Sequence, residues 1–254
     1  MYYRDEEHFK SLCGYVIDDV WYPRVTKIID IKSKPALYRY YAETANFAMS
    51  ESFKQKSATE GTKVHEAAEK ILLGEVPDSI DPDITPSIKA FKEFLGTKNI
   101  QSAPELVERR IVNYDARYAG TIDAVAFIDG KMGVLDIKTS QDIYRDYNLQ
   151  TAAYVEALKP EFKDIQTRWI LRIDQKQNCA RCGATRRTKG GREKIKTPWN
   201  NRAAKDCPHE WAEMKGEVEL REFPYWHDDF EAFLGAKKLW EWENIDWLKR
   251  VEYL

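Results

Sequence analysis

Residues 120–139 read GTIDAVAFIDGKMGVLDIKT. Two stretches rich in β-forming residues flank Asp129-Gly130, a dipeptide suited to a two-residue hairpin loop because both loop positions need a left-handed backbone. With those two residues as the loop, Ile128 faces Lys131. Counting back along both strands, Asp123 faces Asp136. Side chains alternate along a strand, so Lys138 shares the face of Asp136. Val125, Phe127, Met132 and Val134 fall on the same face and are apolar. Carboxylates directly opposite each other repel and destabilise a sheet. A divalent cation relieves that repulsion, and two oxygens aimed at one point suit Mg²⁺ or Mn²⁺. The plain alternative is a surface hairpin whose charges meet water or Lys138.

Outward from this hairpin, residues 105–113 and 118–128 read as two strands. With Asp115-Ala116 at their turn, Glu108 faces Asp123 and joins the candidate site. Residues 133–139 form the next strand, and 146–158 a helix ended by Lys159-Pro160. That helix puts Gln150 and Tyr154 on one face. An amide and a phenol there can bond phosphate oxygens or orient a water. Upstream, residues 61–69 (GTKVHEAAE) place His65 and Glu69 four apart on a helix. A neutral imidazole near two carboxylates can ligate a metal.

The remaining elements follow from local signals. Residues 34–50 read as a helix with Pro35 in its first turn. Residues 61–73 read as a second that stops at Gly74. Residues 77–86 are a loop, and 86–96 a helix with Gly96 at its end. Strands are expected at 166–174 and 216–223. A long final helix over 228–250 carries an apolar stripe of Phe230, Phe233, Leu234 and Trp240. The aromatic, acidic residues 1–22 are expected to dock on the body.

With 254 residues, 43% of them hydrophobic, the chain can build one sizeable core, or a core and a small accessory unit. No run of 18 apolar residues offers a membrane span. The first ten residues, MYYRDEEHFK, lack a signal-peptide pattern. The expectation is a soluble intracellular protein. The net charge of −2 hides an uneven distribution. Residues 176–205 hold ten Lys or Arg and one acid, Glu193, leaving 30 of the 40 basic and 41 of the 42 acidic residues elsewhere. A basic insert on an acidic body suits a local phosphate contact, with a solvated loop as the alternative. The chain therefore divides into a body of residues 1–174 and 216–254 and an insert of residues 175–215.

Four cysteines do not make a disulfide framework in a chain of this size. Cys179-x-x-Cys182 and Cys207-x-His209 have knuckle-like spacing at each end of the insert. Three thiolates and one imidazole can close a tetrahedral structural zinc site. Unligated surface thiols are the alternative.

In order along the chain, GTKVHEAAE, AGTIDAV, VLDIKTS and LQTAAY resemble the RecB-like branch of the PD-(D/E)XK nucleases. That branch carries His, Gly-x-x-Asp, Asp/Glu-x-Lys and Gln-x-x-x-Tyr. Residues 22–43, YPRVTKIIDIKSKPALYRYYAE, resemble the opening segment of phage-type and mitochondrial-genome-maintenance exonucleases. The resemblance covers about residues 22–158. It implies an α/β fold, a central mixed sheet flanked by helices as in restriction endonucleases, and Mg²⁺- or Mn²⁺-dependent hydrolysis of DNA. Carried over, it makes His65, Asp123, Asp136 and the Ile137 carbonyl metal ligands. Lys138 would position or activate water, and Gln150 and Tyr154 would brace substrate and site. A bound cation neutralises phosphate charge and acidifies bound water; one metal or two stays open. The expected activity is exonucleolytic, on single strands or DNA ends. An endonuclease, and a catalytically silent zinc-containing DNA-binding module, are the alternatives. Some relatives of this kind carry an iron–sulfur cluster held by one cysteine before the core and three after it. Cys13, Cys179, Cys182 and Cys207 have that order. Their spacing departs from it, with Ser33-Lys34-Pro35 where the early cysteine belongs and a long gap from Cys182 to Cys207. Zinc is the favoured occupant.

Overall fold

A computed structural model describes residues 3–77 and 79–254, and Met1, Tyr2 and Asp78 lie outside the described residues. The first helix, α1 (Glu6–Cys13), is capped by Asp5, whose carboxylate accepts from the His8 N–H at 2.7 Å. A small hairpin of β1 (Gly14–Ile17) and β2 (Val20–Pro23) and a short helix, α2 (Val25–Ile29), follow. The N-terminal segment docks as expected: Phe9 is fully buried and stacks on Trp247.

Helix α3 (Pro35–Glu43) has Pro35 in its first turn, but it stops earlier than the expected residue 50. Asn46 adopts an extended backbone and caps a new helix, its side chain accepting from the Met49 N–H at 2.8 Å. That helix, α4 (Phe47–Leu72), runs 26 residues and absorbs both 47–50 and 51–60. Residues 51–60 hold only Phe53 and Ala58 among polar side chains, so no apolar stripe announces them. At the other end Gly74 takes φ +75° and donates to the Ile71 carbonyl, a left-handed stop that favours glycine. A 3₁₀ turn at Pro82–Ile84 sits in the expected loop and leads into α5 (Thr85–Leu95). Gly96 follows that helix with φ −65°, so its conformational freedom is not used.

The sheet begins with β3 (Ile100–Gln101), β4 (Val107–Asn113), β5 (Tyr118–Ile128) and β6 (Lys131–Lys138). Asp129 and Gly130 form the β5–β6 loop with φ +52° and +84°, and Ile128 faces Lys131. In the β4–β5 pair, Val107 faces Ala124 and Arg109 faces Ile122, the expected register. Helix α6 (Asp146–Leu158) crosses over, so β7 (Thr167–Asn178) runs parallel to β6. Strand β7 extends past the expected residue 174. The insert then forms a hairpin of β8 (Thr185–Lys189) and β9 (Arg192–Lys196). Strand β10 (Lys215–Glu222) returns antiparallel to β7. The expected terminal helix is two, α7 (His227–Glu243) and α8 (Ile245–Arg250), parted at Asn244, whose side-chain amide donates to the Trp240 carbonyl.

The protein is thus α/β, a mixed sheet flanked by helices. One apolar cluster joins the sheet to α1, α2, α6 and α7 through residues such as Phe9, Ile28, Tyr154 and Phe233. The other joins it to α4 and α5 through Val64, Ala68, Ile88 and Phe91. Among the described residues no helix is long and apolar enough to cross a membrane.

Candidate active site and metal centre

The two carboxylates meet where β5 changes face. Tyr118 and Ile122 pack in the first cluster, yet Ala124, Ala126 and Ile128, at the same parity, pack in the second. The alternation therefore reverses at Asp123. Glu108, the residue across from it, takes φ +50°, and this pair drops out of a ladder that is intact on both sides. A left-handed backbone at a non-glycine residue is uncommon and costs energy. The β5–β6 ladder also ends at Ala124–Leu135, just short of Asp123 and Asp136. Asp123 instead reaches across to β6, where its Oδ2 accepts from the Ile137 N–H. The structure brings Asp123 and Asp136 together as the register implies, but at a break in the sheet and not as a flat pair.

Asp136 is 1% exposed. The Lys138 ammonium donates to its Oδ1 at 2.9 Å and lies 2.7 Å from Oδ2, out of hydrogen-bonding alignment, so Oδ2 has no directed donor. Gln150 Nε2 donates to the same Oδ1 at 3.1 Å and to the Tyr154 hydroxyl at 3.0 Å. Gly120 makes room for this arrangement: a Cβ there would sit 2.5 Å from the Tyr154 ring. From α4, His65 Nδ1 lies 4.0 Å from Asp123 Oδ2 and 3.8 Å from Glu69 Oε1.

Burial, then the neighbouring Asp136, pushes the Asp123 carboxyl up to about 6. Burial, then Glu69, pushes Glu108 up to about 7, while the neighbouring His65 imidazole holds Glu69 below the usual range. Burial alone would discharge His65 and Lys138. Glu69 and Asp123 outweigh it for the imidazole, and Asp136 and Asp123 for the ammonium, so both stand above their ordinary values. The result is crowded negative charge held away from water and offset by the Lys138 ammonium. Carboxylate oxygens and an imidazole nitrogen are the donor types that divalent cations take.

A cleft of about 460 Å³ opens on His65 and Lys138. Its walls come from α3, α4, the segment after β6, and the β8–β9 hairpin. An adjoining cavity of about 580 Å³ also touches His65 and is lined by Glu66, Glu69 and Glu108. A larger cavity of about 1010 Å³ lies against β4 and the end of α6, at Arg109, Arg110 and Glu161, and holds none of the candidate groups. Size alone does not mark the site.

The second centre is in the insert. Ligand atoms of Cys179, Cys182, Cys207 and His209 all lie within 4.8 Å of one another, and among the described residues no other His, Cys, Asp or Glu group is gathered so closely. Cys182 Sγ is 3.4 Å from His209 Nδ1, and Cys179 Sγ is 4.0 Å from Cys207 Sγ. Gly183 turns the chain after Cys182 with φ +73°, and the Arg181 N–H points at Cys179 Sγ at 3.4 Å. Burial opposes ionisation of Cys179, but the Arg181 N–H and His209 pull its thiol down to about 6. Burial and the adjacent thiols push Cys207 up to about 11. Such thiols ionise together only around a cation, and this Cys₃His group can hold a metal such as zinc. Cys13 is not part of it. That thiol is buried in the core and donates to the Tyr3 hydroxyl at 3.2 Å, so the four-cysteine cluster has no fourth cysteine and His209 takes the place.

Some participants carried no signal in the motifs. Tyr147 lies under the Lys138 ammonium at 5.0 Å, and Thr139 accepts from Arg187 at 3.0 Å and from Lys189. The basic charge of residues 176–205 marked the insert, but not the wall it occupies. No protein-family profile and no curated protein matches this sequence.

Proposed function

We propose that the protein is a Mg²⁺- or Mn²⁺-dependent deoxyribonuclease, an exonuclease acting on single strands or DNA ends. One observation carries the reading: Asp123 and Asp136 lie beside His65 and Lys138, and those two line a cleft walled by cations. His65, Asp123, Asp136 and the Ile137 carbonyl would hold the catalytic cation, which supplies Lewis acidity toward phosphate and water. Lys138 enters as an ammonium, because Asp136 and Asp123 hold it protonated. It therefore positions the attacking water and offsets charge growing on the phosphoryl oxygens. Gln150 fixes the rotation of Asp136, and Tyr154 fixes Gln150. Both are positioning residues. Glu108, paired with Glu69 and pushed up to about 7, can hold or release a proton beside Asp123 near neutral pH. In the insert, a structural zinc is the occupant proposed for Cys179, Cys182, Cys207 and His209.

The test is incubation of 5′- and 3′-labelled DNA, single- and double-stranded, with Mg²⁺ or with EDTA. Cleavage in Mg²⁺ alone, with mononucleotides released progressively from one end, is the expected result. No product with either Mg²⁺ or Mn²⁺ overturns the proposal.

A further inference from the structure

We propose that the β8–β9 hairpin is a metal-anchored clamp that grips the phosphate backbone of a single polynucleotide strand across the cleft. The proposal rests on the nuclease reading and names the element that holds the strand.

The register of the hairpin is the first observation. Arg187 pairs with Lys194, and Lys189 with Arg192. Directly paired residues share a face, and so do residues two apart. All four cations therefore occupy one face as two like-charge pairs, and all four line the cleft. Like charges directly opposite destabilise a sheet. Asp174 and Glu43 offset part of that cost, at 2.6 Å from Arg187 and 3.4 Å from Arg192. A polyanion offsets the rest.

The second observation is how the hairpin is held. Its tip, Gly190, donates to Glu60 of α4 at 3.0 Å. A Cβ at Gly190 would lie 2.5 Å from the Phe53 carbonyl, and its φ of +60° excludes most side chains. Its sides reach the Thr139 carbonyl, one residue beyond Lys138. Its base is the Cys₃His group: the Cys179 N–H donates to the Ala184 carbonyl at 2.7 Å, one residue before β8. A metal there fixes the root of the clamp while α4 fixes its tip.

The third observation concerns the ligand. The cleft is also lined by the rings of Tyr144 and Tyr147, and by those of Tyr40 and Phe53 against the hairpin, with Arg192 over Tyr40 at 4.5 Å. Unpaired bases can stack on such rings, whereas a paired base must first be unstacked and unpaired at a cost. A compact patch of cations bordered by aromatic rings matches one strand.

The experiment compares Gly190→Val, which changes no candidate ligand or reacting group, with the wild type. Affinity for a fluorescent single-stranded oligonucleotide and for its duplex is read by anisotropy in EDTA. Hydrolysis of bis(p-nitrophenyl) phosphate in Mn²⁺ reports the reacting groups without any flanking strand. The clamp predicts at least a tenfold loss of single-strand affinity with the small-ester rate unchanged. Lys194→Ala, at an exposed position that folding does not need, should lower the slope of log affinity against log salt by about one. Unchanged single-strand affinity in Gly190→Val, an unchanged salt slope in Lys194→Ala, or a wild type that prefers duplex overturns the clamp. A wild type that binds the strand as described but hydrolyses neither ester nor DNA contradicts the nuclease reading alone.

Discussion

Lys138 and Asp136 form an ion pair at 2.7 Å inside the protein, and the two side chains have separable roles. Lys138→Ala should keep cation binding and lose turnover, since the ammonium acts on water and phosphate. Positioning and acid–base contributions of this kind are worth about 10²–10⁴ in rate. Single-turnover cleavage beside Mn²⁺ titration separates the two effects, and a drop under tenfold would make Lys138 structural. Asp123 makes a stability prediction. Its carboxyl stands at about 6 in the fold against an ordinary 3.8. The folded protein therefore keeps a proton between about pH 4 and 6 that the unfolded chain releases, so stability falls as pH rises through that window. The contribution is at most about 3 kcal/mol. Melting in EDTA from pH 4 to 7 should show a fall in the wild type that Asp123→Asn makes shallower, the remainder coming from Glu108, which is raised as well. Parallel curves would mean that burial and Asp136 do not raise the carboxyl. His65→Ala should weaken cation affinity and slow cleavage, with part of the rate restored at higher Mn²⁺; full activity at low Mg²⁺ would remove His65 from the ligand set.

At the scale of elements, the hairpin of β5 and β6 and the β8–β9 hairpin depend on different supports. Cys179→Ser should loosen the insert, because small loops have little core of their own and their metal binding is coupled to folding. Sheet pairing around Asp123 and Asp136 does not pass through that group. The variant should lose single-strand affinity and keep some Mg²⁺-dependent cleavage; unchanged affinity, read by anisotropy, would make the insert a brace without contact to DNA. The contrast between these elements also explains what the sequence revealed. The Asp129-Gly130 loop needs two left-handed residues, so its chemistry set the register in advance. The reversal of faces at Asp123 was hidden, because a strand pattern assumes strict alternation and no residue type announces Glu108 at φ +50°. Helix α4 was half visible: Val64, Ala67 and Ala68 pack on the core, whereas residues 51–60 have no buried side chain to mark a period. Asn244 split the final helix by a capping bond that apolar spacing does not report.

Across the whole molecule, charge is divided by task. The body carries most of the acids, including those at the candidate site, while the insert brings a concentrated set of cations to the same cleft. Purified protein should contain about one zinc per chain, by the four-ligand logic of a closed structural site. It should be colourless; brown protein with iron and labile sulfide would contradict the Cys₃His assignment. The hydrolytic reading depends most on Asp136, the buried carboxylate that touches Lys138 and Gln150. Its removal relieves repulsion with Asp123 but leaves the buried Lys138 ammonium without its closest partner, so the variant should fold with reduced stability. The deciding measurement is the rate at which Asp136→Ala cleaves labelled single-stranded DNA in Mg²⁺, with folding checked by circular dichroism. No detectable cleavage by a folded variant, beside an active wild type, is the predicted result, and wild-type cleavage by Asp136→Ala would contradict it.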